Sequence, residues 1–162
     1  MPLFSIQRRV QFSETDMAGI VHFANFYRWM EETEHEYFRS LGLHIMQHQP
    51  DGQVLGWPRV SASCNYSAPA RYEDVIDCRL DVERVGLRSV TYQIEFWRGD
   101  TKLATGRMKT ACCICHPDGT LTSVDLLENY RSRIRESVPH QNVSSKWEGE
   151  APTEPRPAND SP

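Results

Sequence analysis

The chain predicts an α+β domain in which an antiparallel sheet wraps one long helix. Two patterns of apolar spacing and their order carry that expectation. A helical recurrence comes first, at Phe26, Trp29, Met30, Thr33, Tyr37, Phe38 and Leu41, the i, i+3, i+4, i+7 spacing of one helix face. A period of two dominates the later sequence, and one helix inserted early in such a sheet can bury its stripe only by lying across one face of it.

Taken in order, "FSIQRRVQFS" reads as the first strand, and the helix follows for about five turns with Arg28, Glu31, Glu32, Glu34, His35 and Arg39 on its polar side and Gly42 as its stop. A loop is expected around "QPDGQVLGW", then a strand in "PRVSASCNYSAP". In "VIDCRLDVERV", Ile76, Cys78, Leu80 and Val82 alternate with charged residues, and beyond Gly86 the positions Val90, Tyr92, Ile94 and Phe96 alternate with polar ones. "RGD" at 98–100 supplies a turn, "TKLATGRMKTACCIC" a further strand, and "HPDGT" another turn. The Arg98-Gly99-Asp100 tripeptide reads as part of a hairpin, not as an adhesion signal. A second helix is expected over 124–135, with Leu126, Leu127, Tyr130 and Ile134 on one side. These elements form one domain over residues 1–138. Residues 139–162, rich in proline, serine and acid, are expected to remain a disordered tail.

Composition excludes several classes of function. A net charge of −4 without basic runs offers no field for nucleic acid. No window approaches the roughly 18 apolar residues of a membrane span, and the first residues lack a signal-peptide pattern, so a cytoplasmic protein is expected. The 5 cysteines, at 64, 78, 112, 113 and 115, form no disulfide framework. Cys112 and Cys115 make a C-x-x-C before His116, but a strand places them on opposite faces, and small buried hydrophobes are the preferred reading. No metal is expected, because no cluster has convincing ligand spacing.

The chemistry is concentrated in "SETDMAGIVHFANFYRWMEE", residues 13–32. Asp16 falls where the first strand gives way to the helix, beside a small apolar stretch. A carboxylate held there can serve as a cap or turn residue, or as a reactive group near the positive end of a helix dipole. Glu14, two residues earlier, would share its face if the strand persisted, and a like charge there would bear on its ionisation. A solvated glutamate is the simpler expectation.

The stretch "QFSETDMAGIVHFANFYRWMEE" resembles the signature of hotdog-fold acyl-CoA thioesterases of the 4-hydroxybenzoyl-CoA thioesterase type. There a D-x-x-G-[IV]-V motif leads into an aromatic-rich central helix. The likeness continues through "NYSAPARYEDVIDCRLDVERVGLRSVTYQIEF" and "LATGRMKTACCI". It implies hydrolysis of an acyl-CoA, with a compact acyl group, aromatic or short, and no cofactor. It implies Asp16 as nucleophile or general base and the Phe23 backbone amide as the group that polarises the thioester carbonyl. His22 is a further catalytic candidate, although relatives of the short-chain branch carry histidine one position later. Gly19, Asn25 and Tyr27, with Arg88 and Ser89 for the CoA phosphates, are the candidate substrate-binding residues. The resemblance places active sites between subunits, and the sheet's open face and edges make self-association natural, so a homodimer or homotetramer is expected. A non-catalytic acyl-thioester-binding module and a hotdog dehydratase or hydratase are the competing readings.

Overall fold

The computed structural model describes residues 1–137; the tail expected over 139–162 lies outside the described residues. The helix stripe and the strand alternation decide the architecture. Helix α1, Ala24–Ser40, buries Phe26, Trp29, Met30, Thr33, Tyr37 and Phe38. Its end is set by Gly42 at φ +65°, from which the Gly42 amide donates to Arg39 O at 3.0 Å and the Leu43 amide to Phe38 O at 2.9 Å. Those paired bonds satisfy the last carbonyls of the helix, and the left-handed conformation they require favours glycine.

Five strands form the main sheet: β1 (Phe4–Arg9), then, beyond two short strands β2 (Gln47–His48) and β3 (Val54–Gly56), β4 (Arg59–Tyr66), β5 (Val75–Val85), β6 (Ser89–Arg98) and β7 (Thr101–Ala111). Their spatial order is β1-β5-β6-β7-β4, every pairing antiparallel. Ile76, Cys78, Leu80 and Val82 of β5 and Val90, Tyr92, Ile94 and Phe96 of β6 are wholly buried, so the period-two residues do line the face that holds α1. The opposite face is charged and internally paired, with Asp77 on Arg79 at 2.7 Å, Glu83 on Arg107 at 2.7 Å and Glu95 on Lys102 at 2.6 Å.

Several expectations are corrected. The first strand stops at Arg9, and 12–14 form a short 3-10 turn. β5, β6 and β7 do form a meander, but β4 is not its first member: it pairs with β7 at the far edge of the sheet. The loop before β4 and the segment after β7 build a second, four-stranded sheet from β2, β3, β8 (Cys113–Cys115) and β9 (Leu121–Ser123). The second helix is shorter than 124–135: α2 spans Glu128–Arg131, because the Val124 and Leu126 amides donate to Cys112 O and Leu87 O in an extended segment. Tyr130 of α2 is buried against Trp57 and Phe38.

One charged group sits inside the core. Glu34, on α1, is 0% exposed; its Oε2 accepts from Arg59 Nη2 at 2.5 Å, while its Oε1 has no hydrogen-bond partner among the described residues. Burial pushes its carboxyl up to about 7; Arg59 opposes the shift, and Glu31 adds to it. The desolvation of the carboxylate outweighs the ion pair. A carboxyl raised in the folded state adds stability that is fully present below its unfolded value, about 4.5, and is lost as pH rises through about 7. The Tm of the wild type should therefore carry a downward slope between these values that Glu34→Gln removes; an identical slope in the variant would contradict this assignment.

Candidate active site

The stretch from Glu14 to Phe26 folds as a tight reversal followed by the helix start. The Gly19 amide donates to Asp16 O at 2.9 Å and the Asp16 amide to Ile20 O at 2.9 Å, and Thr15 and Val21 form an antiparallel bridge. Gly19 has φ +70° with nothing within 4 Å of the place a Cβ would take, so its glycine answers to backbone conformation and not to space. This is a three-residue loop, 17–19, closed by a left-handed glycine, and aspartate suits the position just before it, where the turn opens. Asp16 Oδ1 accepts from the Ala18 amide at 2.8 Å, which stabilises the turn. Asp16 Oδ2 accepts no hydrogen bond from the described residues. The aspartate is thus a turn residue with one carboxylate oxygen left over, and it does not cap α1.

Asp16 borders an apolar cleft of ≈ 530 Å³. Asp16, Ile20 and Val21 supply one wall, Phe23 and Phe26 the second, and 66–70, the end of β4 and the loop beyond it, the third. The walls are tied together: the Val21 amide donates to Ala70 O at 2.8 Å, and Tyr66 Oη donates to Phe23 O at 3.2 Å. Phe26 stands edge-on to both Tyr66 and Phe96, with ring centroids 5.3 and 5.2 Å apart. Phe23 precedes α1 directly and is 59% exposed, and no described residue accepts a hydrogen bond from its amide. An unpaired N–H at the first turn of a helix is a donor aligned with the dipole, so a carboxylate and an unpaired backbone donor border one cleft.

The other candidates are distributed unevenly. His22 does not line the cleft; its Nδ1 accepts from the Ala24 amide at 3.3 Å, and its ring stacks on Phe23. Asn25 is buried and donates to Glu14 O at 2.8 Å. Tyr27 is half-buried against the core. Arg88 is exposed and paired with Asp125 at 2.6 Å, and Ser89 begins β6 opposite Ala111. The cleft end of the sheet lies at Tyr66, opposite Ala104. From Ala104 to Ala111 the strand runs ~23 Å at about 3.3 Å per residue, so Arg88 and Ser89 are not brought to Asp16 within one chain. In the C-x-x-C segment the ladder breaks at Cys112, between β7 and β8. Burial pushes the Cys112 thiol up to about 11 and also raises Cys113, the reverse of the lowered thiol that redox chemistry uses.

Glu14 is the residue that the sequence misplaced. Instead of being solvated beside Asp16, it is part-buried and turned toward α1. Its Oε1 accepts from Arg8 Nη2 at 2.5 Å and from Trp29 Nε1 at 2.9 Å, and its Oε2 from the Gln11 amide at 2.8 Å.

Comparison with known proteins bears on the fold and the family. The family model of the Thioesterase superfamily matches residues 18–105. A 1,4-dihydroxy-2-naphthoyl-CoA hydrolase of Prochlorococcus marinus is 27% identical over 110 residues, 64% of this chain and 71% of that protein. The 4-hydroxybenzoyl-CoA thioesterase of a Pseudomonas species is 34% identical over 73 residues, 44% of this chain and 52% of that protein. The solved structure of a gentisyl-coenzyme A thioesterase superposes with a TM-score of 0.68 at 25% identity, covering 80% of this chain and 98% of that one. The chain belongs to the thioesterase superfamily. It has the hotdog fold of that superfamily and is a thioester hydrolase acting on acyl-CoA.

Proposed function

We propose that this enzyme hydrolyses the CoA thioester of a compact aromatic acid, with Asp16 and the Phe23 amide as its reacting groups. The observation that carries the reading is the placement of both groups on one apolar cleft walled by aromatic rings. A flat ring fits edge-on among Phe23, Phe26 and Tyr66, and the relatives named for aromatic acyl-CoA substrates support this class. The thioester oxygen accepts from the Phe23 amide and gains negative charge as the carbonyl carbon becomes tetrahedral, a change that a preorganised donor stabilises. Asp16 Oδ2 either bonds that carbon, expelling CoA thiolate and leaving an anhydride for water to open, or takes the proton of the water that bonds it. Both routes end in carboxylic acid and CoA thiol. Release of free thiol from a panel of CoA thioesters should show kcat/KM for 4-hydroxybenzoyl-CoA at least about tenfold above butyryl-CoA; equal values would remove the aromatic assignment. Asp16→Asn keeps the acceptor that holds the turn and loses basicity, so kcat should fall at least about a hundredfold with Tm unchanged. Wild-type turnover in that variant would exclude Asp16 from the chemistry.

The working unit in this proposal is a homodimer joined along β4. Among the described residues β4 pairs only with β7, and it is exposed along most of its length, Val60 at 59% and Tyr66 at 46%. An open edge of that kind is a template for a second strand. Antiparallel pairing of two β4 strands about their centre sets the Arg59 end of one copy beside the Tyr66 end of the other. Because Ser89 lies opposite Ala111, at the Arg59 end of the sheet, this arrangement turns the β5–β6 turn, with Arg88 and Ser89, toward the end that carries the partner's cleft. Light scattering should give at least twice the 18.7 kDa of one chain; a monodisperse monomer with full activity would contradict it.

A further inference from the structure

We propose that Glu14 is the positioning residue that holds the Asp16 carboxylate in place relative to the Phe23 amide, an inference that rests on the function just proposed. The two groups belong to different elements. Asp16 opens the turn after the first strand, whereas Phe23 begins α1, and seven residues separate them. The turn's own bonds hold Asp16 to Ile20 and Thr15 to Val21 and stop short of Phe23. Glu14 carries the tie on to α1 with both its backbone and its side chain. Its carbonyl accepts from the His22 amide at 2.9 Å and from Asn25 Nδ2 at 2.8 Å, which brings the chain just before Asp16 against the start of α1. Its carboxylate grips Trp29 one turn farther along the helix, Arg8 on β1 and the Gln11 amide. Arg8 in turn lies over the Trp29 ring at 4.5 Å and pairs with Glu32 of α1.

Each anchor is chosen by chemistry. The indole N–H of a buried tryptophan needs an acceptor, and a carboxylate is a stronger one than a neutral side chain. Charge-assisted bonds in a part-buried site leave little freedom to the residues that make them. Glu14 touches neither the cleft nor the reacting atoms and acts only through the loop it holds. Misplacement of reacting groups by about 1 Å can cost of order a hundredfold in rate, and so a residue outside the cleft can govern turnover.

The experiment compares Glu14→Gln with the wild type and repeats the substitution in Asp16→Asn. The amide variant keeps an acceptor for Trp29 and loses the charge that holds Arg8. The expected result is a kcat at least about tenfold lower with KM within twofold, and less than a twofold further loss when Asp16 is already asparagine, since there is then no carboxylate left to position. Equal fold losses in the two backgrounds, or an unchanged kcat, would overturn the proposal. Amide hydrogen exchange supplies a readout independent of activity: exchange at Ala18 and His22, whose amides are bonded to Asp16 Oδ1 and Glu14 O, should rise at least about tenfold in Glu14→Gln, while strands β5 and β6 stay protected. If the wild type hydrolyses no thioester in the panel, the proposed function fails, and increased exchange would still establish Glu14 as the residue holding the loop. Unchanged exchange would overturn the positioning role itself, whatever the activity. Should Glu14→Gln fail to fold, Arg8→Lys serves in its place, with the same kcat and exchange changes expected and unchanged values again overturning the role.

Discussion

The seating of α1 in the sheet depends on the absence of one side chain. A Cβ at Gly106, in the middle of β7, would overlap Met30 Sδ and lie 3.1 Å from Met30 Cγ, and Met30 is wholly buried. Without that gap the Met30 side chain would have to shift, and a wholly buried methionine in a close-packed interior has little room to do so. With it, Trp29 and Phe26 settle beside Phe96, and the start of the helix comes level with the end of β4. The cleft is a consequence of that seating. It forms where the first turn of α1 meets the loop after Tyr66.

The turn before the helix answers two demands with the same residues. Asp16 must accept from the Ala18 amide to close the loop, and Gly19 must adopt a left-handed conformation to finish it. One oxygen of Asp16 is consumed by structure, and the other accepts no hydrogen bond from the described residues. The Phe23 amide is available because α1 begins there, and the first amides of a helix have no intrahelical acceptor. Neither group needs a special side chain at position 23, so the exposed phenylalanine contributes wall and the backbone contributes the donor. Glu14 and Arg8 connect these local features to β1 and thus to the sheet.

Much of this is legible in residue order because it is local. The stripe from Phe26 to Leu41 and the alternation from Ile76 to Phe96 are periodic within single elements, and they locate the helix and its facing strands. Asp16, Gly19 and Phe23 lie within eight residues of each other, so their shared neighbourhood can be read directly. The features that escape such reading depend on pairing between distant segments. The place of β4 at the sheet edge is decided by partners at 104–110, and with it the separation of Arg88 and Ser89 from the cleft of their own chain. The small second sheet joins 47–56 to 113–123, and its strands are too short to carry a period. Leu126, Tyr130 and Ile134 have helical spacing and suggest a longer second helix, yet Val124 and Leu126 are held as extended chain by Cys112 and Leu87. The partners of Glu14, Arg8 and Trp29, are six residues before and fifteen after it, in two other elements. An acidic residue so placed is a signal only once the fold is known.

The central claim is that Asp16 and the Phe23 amide meet at one thioester carbonyl. A crystal structure with a non-hydrolysable aryl-CoA analogue, its sulfur link extended by a methylene between carbonyl and sulfur, tests this directly. The expected complex has the analogue's carbonyl oxygen at about 3 Å from the Phe23 nitrogen, with Asp16 Oδ2 facing the carbonyl carbon at about 3–3.5 Å, directly or through one water. An acyl group bound elsewhere, with Asp16 Oδ2 and the Phe23 amide both unoccupied, would contradict it.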